Sequence, residues 1–460
     1  MALSLDSLFR ITPRPVKDVL CSAYGWRIHR RRYGRGFEEH RARALEEETL
    51  DAESLRQLSL QRLRETLVRA GRDVPYYRAL FQRHRIDPSS LPLPEGLLQI
   101  PILEKADIQQ SPESFISEAV PGPLESRDTS GTTGSPLRVL ADLDSLQRHY
   151  AVYDRFRTRA GSEVGCRRAT FNGRVLWPAA RHHAPYWVRD WTENNLLFSV
   201  YHIGPQSTAD YVECLRRYQP EELHVYPSAL ASLVRFAIDA GLELPTVRSI
   251  LTSAETLSAA DRRLFEQTFG CRVSDQYGNA EMTIFAGQCD AGGTHLDIGY
   301  GYLELLDAQV DDQGTRTGEA ITTGFVNQAM PLIRYRVGDT LSLSTRRCSC
   351  GSAQPVLDQI VGRTDDLLIL PDGRTVGRLD PVFKGLTGLS EVQIAQKATD
   401  HVVVRVVPSP AYDESSERSV KEALADRLGA EVRIEVETVT EIPRTSRGKF
   451  RSVVREMDSR

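Results

Sequence analysis

Between residues 165 and 345 short apolar runs alternate with helical segments, and this alternation limits the folds open to the chain more than any other feature. ELHVYPSAL (222–230), VRSILTSAE (247–255) and RVSDQYGNAE (272–281) each read as a β-branched run ending in small or polar residues. The segments between them, LASLVRFAIDAG and SAADRRLFEQTFG, repeat apolar residues at helical spacing. Strand, helix and strand in this order predict parallel strands joined by crossover helices. In such sheets ligands sit at the carboxyl ends of the strands, where the polar endings fall.

A chain of 460 residues is too long for one core and predicts two or three domains. A strand-rich stretch follows the alternating part, over 300–360. GRTDDLLILPDGRTVGRL then reads as two short strands around an Asp-Gly turn, which puts a boundary near 365. Beyond it VQIAQKATDHVVVRVVP reads as a strand pair, ERSVKEALADRLGA as a helix and VRIEVETVTEIP as another strand. The expected architecture is α/β, with a large domain of mixed and parallel sheets and helices over 1–364. A small, mobile α+β domain is expected over 365–460. Residues 1–100 read as helical and charged. In that region the basic run RIHRRRYGR is expected to form a solvated helix face paired with the acidic run after it; contact with an anionic membrane surface is the other reading.

Composition excludes several classes. A formal net charge of −4 argues against bulk nucleic-acid binding. No apolar run approaches the roughly 18–20 residues that cross a bilayer, and the N-terminus, broken by Asp6, Arg10 and two prolines, does not read as a signal peptide. Seven cysteines, odd in number and unevenly spread, fit a reducing cytoplasm better than a disulfide framework. Lysine occurs only at 17, 105, 384, 397, 421 and 449, so a lysine inside a motif carries some weight.

One loop, DTSGTTGSPL from residue 128, has the composition of an anion cradle. Consecutive Gly and Ser/Thr let backbone N–H groups and hydroxyls converge on a phosphate. It lacks the Gly-Lys-Ser/Thr ending of a Walker A loop. Five further stretches follow in order: SAETLS (253–258), QYGNAE (276–281), RYRVGD (334–339), GRTDD (362–366) and PRTSRGK (443–449). This ordered set resembles the adenylate-forming superfamily of acyl-CoA synthetases, peptide-synthetase adenylation domains and luciferases. MPLIRYRVGD, GRTDDLLIL and SGTTGSPL are most similar to the phenylacetate–CoA ligase family. CSAYGWRIHRRRYG and GRLDPVFKGL are similar to a bacterial branch often linked to polysaccharide clusters.

The resemblance implies roles residue by residue. Thr129, Ser130, Gly131, Thr132, Thr133 and Gly134 match the triphosphate loop. Ala254 and Glu255 match the adenine-side motif. Tyr277 and Gly278 match the aromatic motif, in which the tyrosine stacks on adenine, and Glu281 matches the Mg²⁺ ligand. Asp339 corresponds to the carboxylate that holds both ribose hydroxyls, Arg363 to an arginine near the ribose and Asp365 to the hinge. Lys449 corresponds to the lysine bridging the attacking carboxylate and the phosphate oxygens. The acid pocket is less specified: Tyr201, His202 and Tyr226, from FSVYHIGP and VYPSAL, are candidates to line it, or else ordinary core.

Cys348, Cys350, Cys289 and His295 form a separate constellation of three thiolates and one imidazole, the donor set of a structural zinc. The alternative is unligated cysteines; Cys21, Cys166, Cys214 and Cys271 read as core. The implied activity is that of an ATP- and Mg²⁺-dependent acid ligase, with CoA as acceptor. An amine acceptor giving an amide, or an idle nucleotide-binding scaffold, are the alternatives. The acid and the oligomeric state stay open.

Overall fold

The computed structural model describes residues 9, 12–128, 137–178, 181–363, 368–371, 375–376, 383, 386, 388–429, 431–444 and 450–457. A two-stranded ribbon comes first, β1 (Glu125–Asp128) against β2 (Arg138–Ala141). Five strands then run parallel in the order β5 (Asn195–Ser199), β3 (Arg168–Asn172), β6 (Glu222–Val225), β7 (Ser249–Ser253) and β8 (Val273–Gly278). The antiparallel β4 (Trp187–Asp190) closes their outer edge. The helices Pro227–Asp239 and Ala259–Phe269 make the crossovers expected from the sequence alternation.

After β8 the direction alternates. The strands β9 (Phe285–Gln288), β10 (Thr294–Leu296), β11 (Gly301–Val310), β12 (Arg316–Gly324), β13 (Tyr335–Ser344) and β14 (Val356–Arg363) pair antiparallel. They extend the same sheet to twelve strands, in the order β11-β12-β13-β14-β10-β9-β8 and onward. A separate four-stranded sheet follows. Its strands are β17 (Leu389–Ala398), β18 (His401–Pro408), β19 (Arg433–Thr438) and β20 (Val453–Arg455). The helix Glu414–Leu428 packs on it around Val402, Val404, Val420 and Leu424. A short ribbon, β15 (Leu368–Ile369) with β16 (Thr375–Val376), joins that core through Leu368.

The helix Leu143–Arg159, capped by Asp142 through the Ser145 N–H, matters most for the site. Arg157, at its carboxyl end, reaches the buried Glu222 on β6, with Nη2 to Oε2 at 3.0 Å. A buried pair of this kind costs desolvation and adds little net stability, but it fixes one helix against one strand. His149, Tyr150 and Tyr153 are set on that helix at the spacing of neighbours one turn apart.

Among the described residues up to 84 the chain is mostly helical, as the sequence suggested: Arg14–Arg32, Arg35–Glu47, Ala52–Asp73 and Pro75–His84. Among the described residues the expected pairing of the basic run with the following acidic run is not seen. Glu47 and Glu48 hold Arg62, Arg155 and Arg159, while Arg31 pairs with Glu125 and His29 with Glu193. Local sequence proximity lost to partners that packing brought closer. The helix Arg14–Arg32 lies along β4, where the buried Lys17 donates to the Leu176 carbonyl at 2.7 Å. Its ammonium sits 3.3 Å over the Trp177 ring, and Asp18 accepts the Arg189 N–H.

Candidate active site

Parallel strands deliver their carboxyl ends to one edge. Tyr226 follows β6, Ala254 and Glu255 follow β7, and Tyr277 and Gly278 end β8. Ala254 adopts a left-handed backbone, φ 70°, which turns the chain sharply after β7. The Tyr277 hydroxyl donates to Asp339 Oδ2 at 2.6 Å. Four strand spacings separate β8 from β13 in the sheet order, about 19 Å if the sheet were flat. The contact therefore means that the antiparallel half curls back over the end of β8. Gly338, with φ 83°, precedes Asp339 and supplies a conformation that a side chain resists. Asp339 also stands opposite Arg363 in the β13–β14 register. Glu281 accepts a hydrogen bond from the Tyr335 hydroxyl at 3.1 Å.

Glu255 joins the two sheets' territories. Its Oε2 accepts the Ser228 N–H and its Oε1 accepts the Phe450 N–H, both at 2.9 Å. Burial raises its pKa even though both N–H groups and Arg444 favour the anion. Arg444 stacks on the Phe450 ring at 4.7 Å and pairs with Glu391, which also accepts from Ser232 Oγ at 3.2 Å. The C-terminal segment is thus docked beside the nucleotide-type motifs.

Six loop residues, Thr129 to Gly134, together with Asp365 and Lys449 lie outside the described residues; Arg363 is described as backbone only. The Tyr201 hydroxyl donates to the Gly173 carbonyl at 3.1 Å. Both His202 nitrogens are engaged, with Ser199 Oγ at 2.7 Å and the Pro178 carbonyl at 3.0 Å. Tyr226 packs on the core between β3, β6 and the helices. A cavity of about 350 Å³ opens beside β8, lined among others by Arg127, His149, Gly278, Asn279, Ala280 and Phe285.

His149 and Arg127 were missed by sequence reasoning. His149 Nδ1 lies 2.8 Å from the Tyr300 hydroxyl, and burial, with Arg127 and Arg32 nearby, holds it well below the usual histidine range. The available signal was the polar and aromatic trio His149, Tyr150 and Tyr153 on the helix directly after the anion loop.

The Cys/His constellation does assemble. The donor atoms of Cys289, His295, Cys348 and Cys350 all lie within 4.8 Å of one another. Cys289 and Cys348 sulfurs are 3.6 Å apart, and Cys350 Sγ is 3.3 Å from His295 Nε2. Tetrahedral zinc with bonds of about 2.3 Å to sulfur separates two thiolates by about 3.8 Å, so the spacing fits. His295 Nδ1 meets the Gln354 carbonyl at 3.0 Å, which orients the ring and leaves Nε2 toward the sulfurs. Gly293 admits the cluster: a Cβ there would stand 2.8 Å from Cys348 Sγ. Burial would raise the Cys348 thiol, yet the Cys350 N–H, His295 and the neighbouring thiols bring it down to about 6.

With this geometry in view the relatives can be placed. Residues 368–456 match the family model of the CapK C-terminal domain. Protein CapK of Staphylococcus aureus is 24% identical over 456 residues, covering 98% of this chain and 99% of that protein. The chain is a homologue of CapK and of the phenylacetate–CoA ligases. The phenylacetate-coenzyme A ligase of Thermus thermophilus is 28% identical over 335 residues, 70% of this chain and 73% of that one. Among solved structures, 2-hydroxyisobutyryl-CoA ligase in the postadenylation state with 2-HIB-AMP superposes with a TM-score of 0.68. Identity there is 21%, over 89% of this chain and 91% of that chain. The CapK homologue therefore shares the fold of adenylate-forming acyl-CoA ligases. No helix among its described residues is long and apolar enough to cross a membrane.

Proposed function

We propose that the protein joins a carboxylic acid to coenzyme A in two steps through an acyl-adenylate. In the first, a carboxylate oxygen of the acid attacks the α-phosphorus of ATP. The bond to the β-phosphate oxygen breaks and pyrophosphate leaves. In the second, the CoA thiolate attacks the acyl carbon, the thioester bond forms and AMP departs with the former carboxylate oxygen. The observation that carries this reading is the grip of Glu255 on the Phe450 N–H. It docks the C-terminal segment on the motifs of the large sheet, and Phe450 follows Lys449 in the sequence.

Each role follows from the chemistry of its group. Residues 129–134 offer the triphosphate a run of hydroxyl and N–H donors. Tyr277 gives adenine a face to stack on, and Asp339 accepts from the ribose hydroxyls with Arg363 beside it in register. Glu281, a hard oxygen ligand oriented by Tyr335, would hold Mg²⁺, which neutralises phosphate charge when bound. The ammonium of Lys449 stabilises charge on the attacking carboxylate and the phosphate oxygens. Asp365 then serves as the pivot about which the C-terminal domain, 365–460, turns to admit CoA. Cys289, His295, Cys348 and Cys350 would hold a structural zinc, because four protein ligands leave no position for substrate.

The test is ATP–pyrophosphate exchange over a panel of acids, followed by thioester formation with CoA. Exchange with at least one acid, and CoA thioester from the same acid, is expected. No exchange with any acid overturns the reading, and exchange with amide but no thioester product replaces CoA by an amine.

A further inference from the structure

Two guanidinium groups gather round one tyrosine next to the cavity beside β8. Arg127 on β1 lines it directly. Arg127 and Arg32, the last residue of the helix Arg14–Arg32, both attend Tyr150. Their guanidinium carbons stand 5.9 and 4.3 Å from its ring centroid, and Arg127 Nη2 lies 3.4 Å from its hydroxyl. Among the described residues neither guanidinium has a carboxylate within ion-pair distance. Glu125 pairs with Arg31, and Glu193, which pairs with His29 and Arg168, also acts on Arg32 through space. Arg174, in the exposed turn after β3, adds a third positive charge that acts on Tyr150. Burial would raise the Tyr150 phenol, yet Arg32, Arg127 and Arg174 together bring it below its usual value. The low His149 value has burial and then two of the same arginines as its causes.

Burying guanidinium groups is costly unless anions or aromatic faces attend them, and the Tyr150 ring attends both. An anion entering between them adds direct charge-assisted hydrogen bonds. The carboxylate that reacts supplies one negative charge, and that charge is consumed as the acyl phosphate bond forms. The triphosphate has its own run of donors in residues 129–134. Arg127, which lines the cavity, and Arg32, on the same tyrosine ring, are left to receive another anion.

We infer that the acid activated here carries a second anionic group, a carboxylate, phosphate or sulfate, bound by Arg127 and Arg32 across Tyr150. This rests on the ligase reading above and narrows its substrate class. Bidentate recognition of a planar or tetrahedral anion is what the guanidinium fork does best.

The experiment is pyrophosphate exchange on the full chain with matched acids. Each pair consists of an aryl or alkyl acid bearing a distal carboxylate, phosphate or sulfate and its uncharged ester or amide. The charged member should be favoured about 10–100-fold in kcat/KM, as expected for one or two charge-assisted hydrogen bonds, and the three head groups identify which anion is preferred. Arg32→Gln should raise KM for the charged acid about tenfold and leave KM for ATP and for the uncharged acid unchanged. If Arg32→Gln does not fold, judged by its thermal transition, Arg127→Gln, at the cavity wall, carries the same test. Preference for the uncharged member overturns the inference, as does a substitution that moves KM for ATP and not for the acid. No exchange with any acid overturns the ligase reading itself; exchange with uncharged acids alone overturns only the second anion.

Discussion

In the parallel half of the large sheet, from β5 to β8, the strands run one way, so the segments after β6, β7 and β8 share one edge and bring Tyr226, Glu255 and Tyr277 to it. In the antiparallel half, from β9 to β14, neighbours reverse, and no single edge collects strand endings. Asp339 reaches Tyr277 only because the sheet curls. The loop between β13 and β14 meets the β9–β10 hairpin at the Cys/His cluster instead. One half presents residues by direction, and the other by curvature and by a cross-link. The two should therefore fail differently when broken.

Removing the one carboxylate that the antiparallel half lends to the site should have the largest effect. Asp339→Ala is expected to lower kcat/KM for pyrophosphate exchange by about 10²-fold, chiefly through KM for ATP, since hydrogen bonds to a charged group contribute about 1.5–3 kcal/mol each. Steady-state exchange with varied ATP measures it. A wild-type KM for ATP would remove Asp339 from the nucleotide site.

The cross-link comes next. Wild-type protein should retain about one zinc per chain after dialysis, and Cys348→Ser should lose it, with the thermal midpoint lowered by at least about 5 °C. Metal analysis and calorimetry on one preparation decide this. If neither metal content nor midpoint changes, the four side chains are not a zinc site.

Glu255→Gln tests the hold of the parallel half on the C-terminal segment. It keeps the shape of the side chain but weakens acceptance of the Ser228 and Phe450 N–H groups. Pyrophosphate exchange should fall about tenfold while the thermal midpoint stays close to wild type. Faster hydrogen exchange at the Phe450 amide would accompany that loss, and unaltered protection there would detach the C-terminal segment from the effect.

The smallest change concerns the closed edge at β4. Burial, with Arg181 nearby, lowers the Lys17 pKa to about 8 from 10.5. Between those values the unfolded chain holds a proton that the folded one has released. Stability should therefore rise as pH increases from about 8 toward 10.5, and be lost again as pH falls through 8. Lys17→Met should flatten that rise, read from urea midpoints at pH 8 and 10. A slope equal to wild type would assign the pH dependence to other groups.

Much of the parallel half was legible because strand endings are local: SAETLS and QYGNAE announce where β7 and β8 stop and which side chains follow. The cysteines were legible as a donor set because few other chemistries use three thiolates and an imidazole. The partners of His202 were not legible, since the Ser199 hydroxyl and the Pro178 carbonyl are set by the path of the chain after β3 and β5. Nor were the partners of the basic run. Glu125 and Glu193 lie far along the sequence from Arg31 and His29, and only packing of the first helix against the sheet brings them together.

The sequence by itself determined the alternation that makes a parallel sheet, the order of the nucleotide-type motifs and the small C-terminal α+β unit. These depend on periodicity and on residues close together along the chain. Tertiary structure decided the contact of Tyr277 with Asp339, the hold of Glu255 on Phe450 and the meeting of Arg32, Arg127 and Tyr150. Each of these joins segments separated by tens to hundreds of residues. Their distances are set by sheet curvature, by a helix fixed through Arg157 and Glu222, and by the docking of one sheet beside another, none of which has a local signature in the chain.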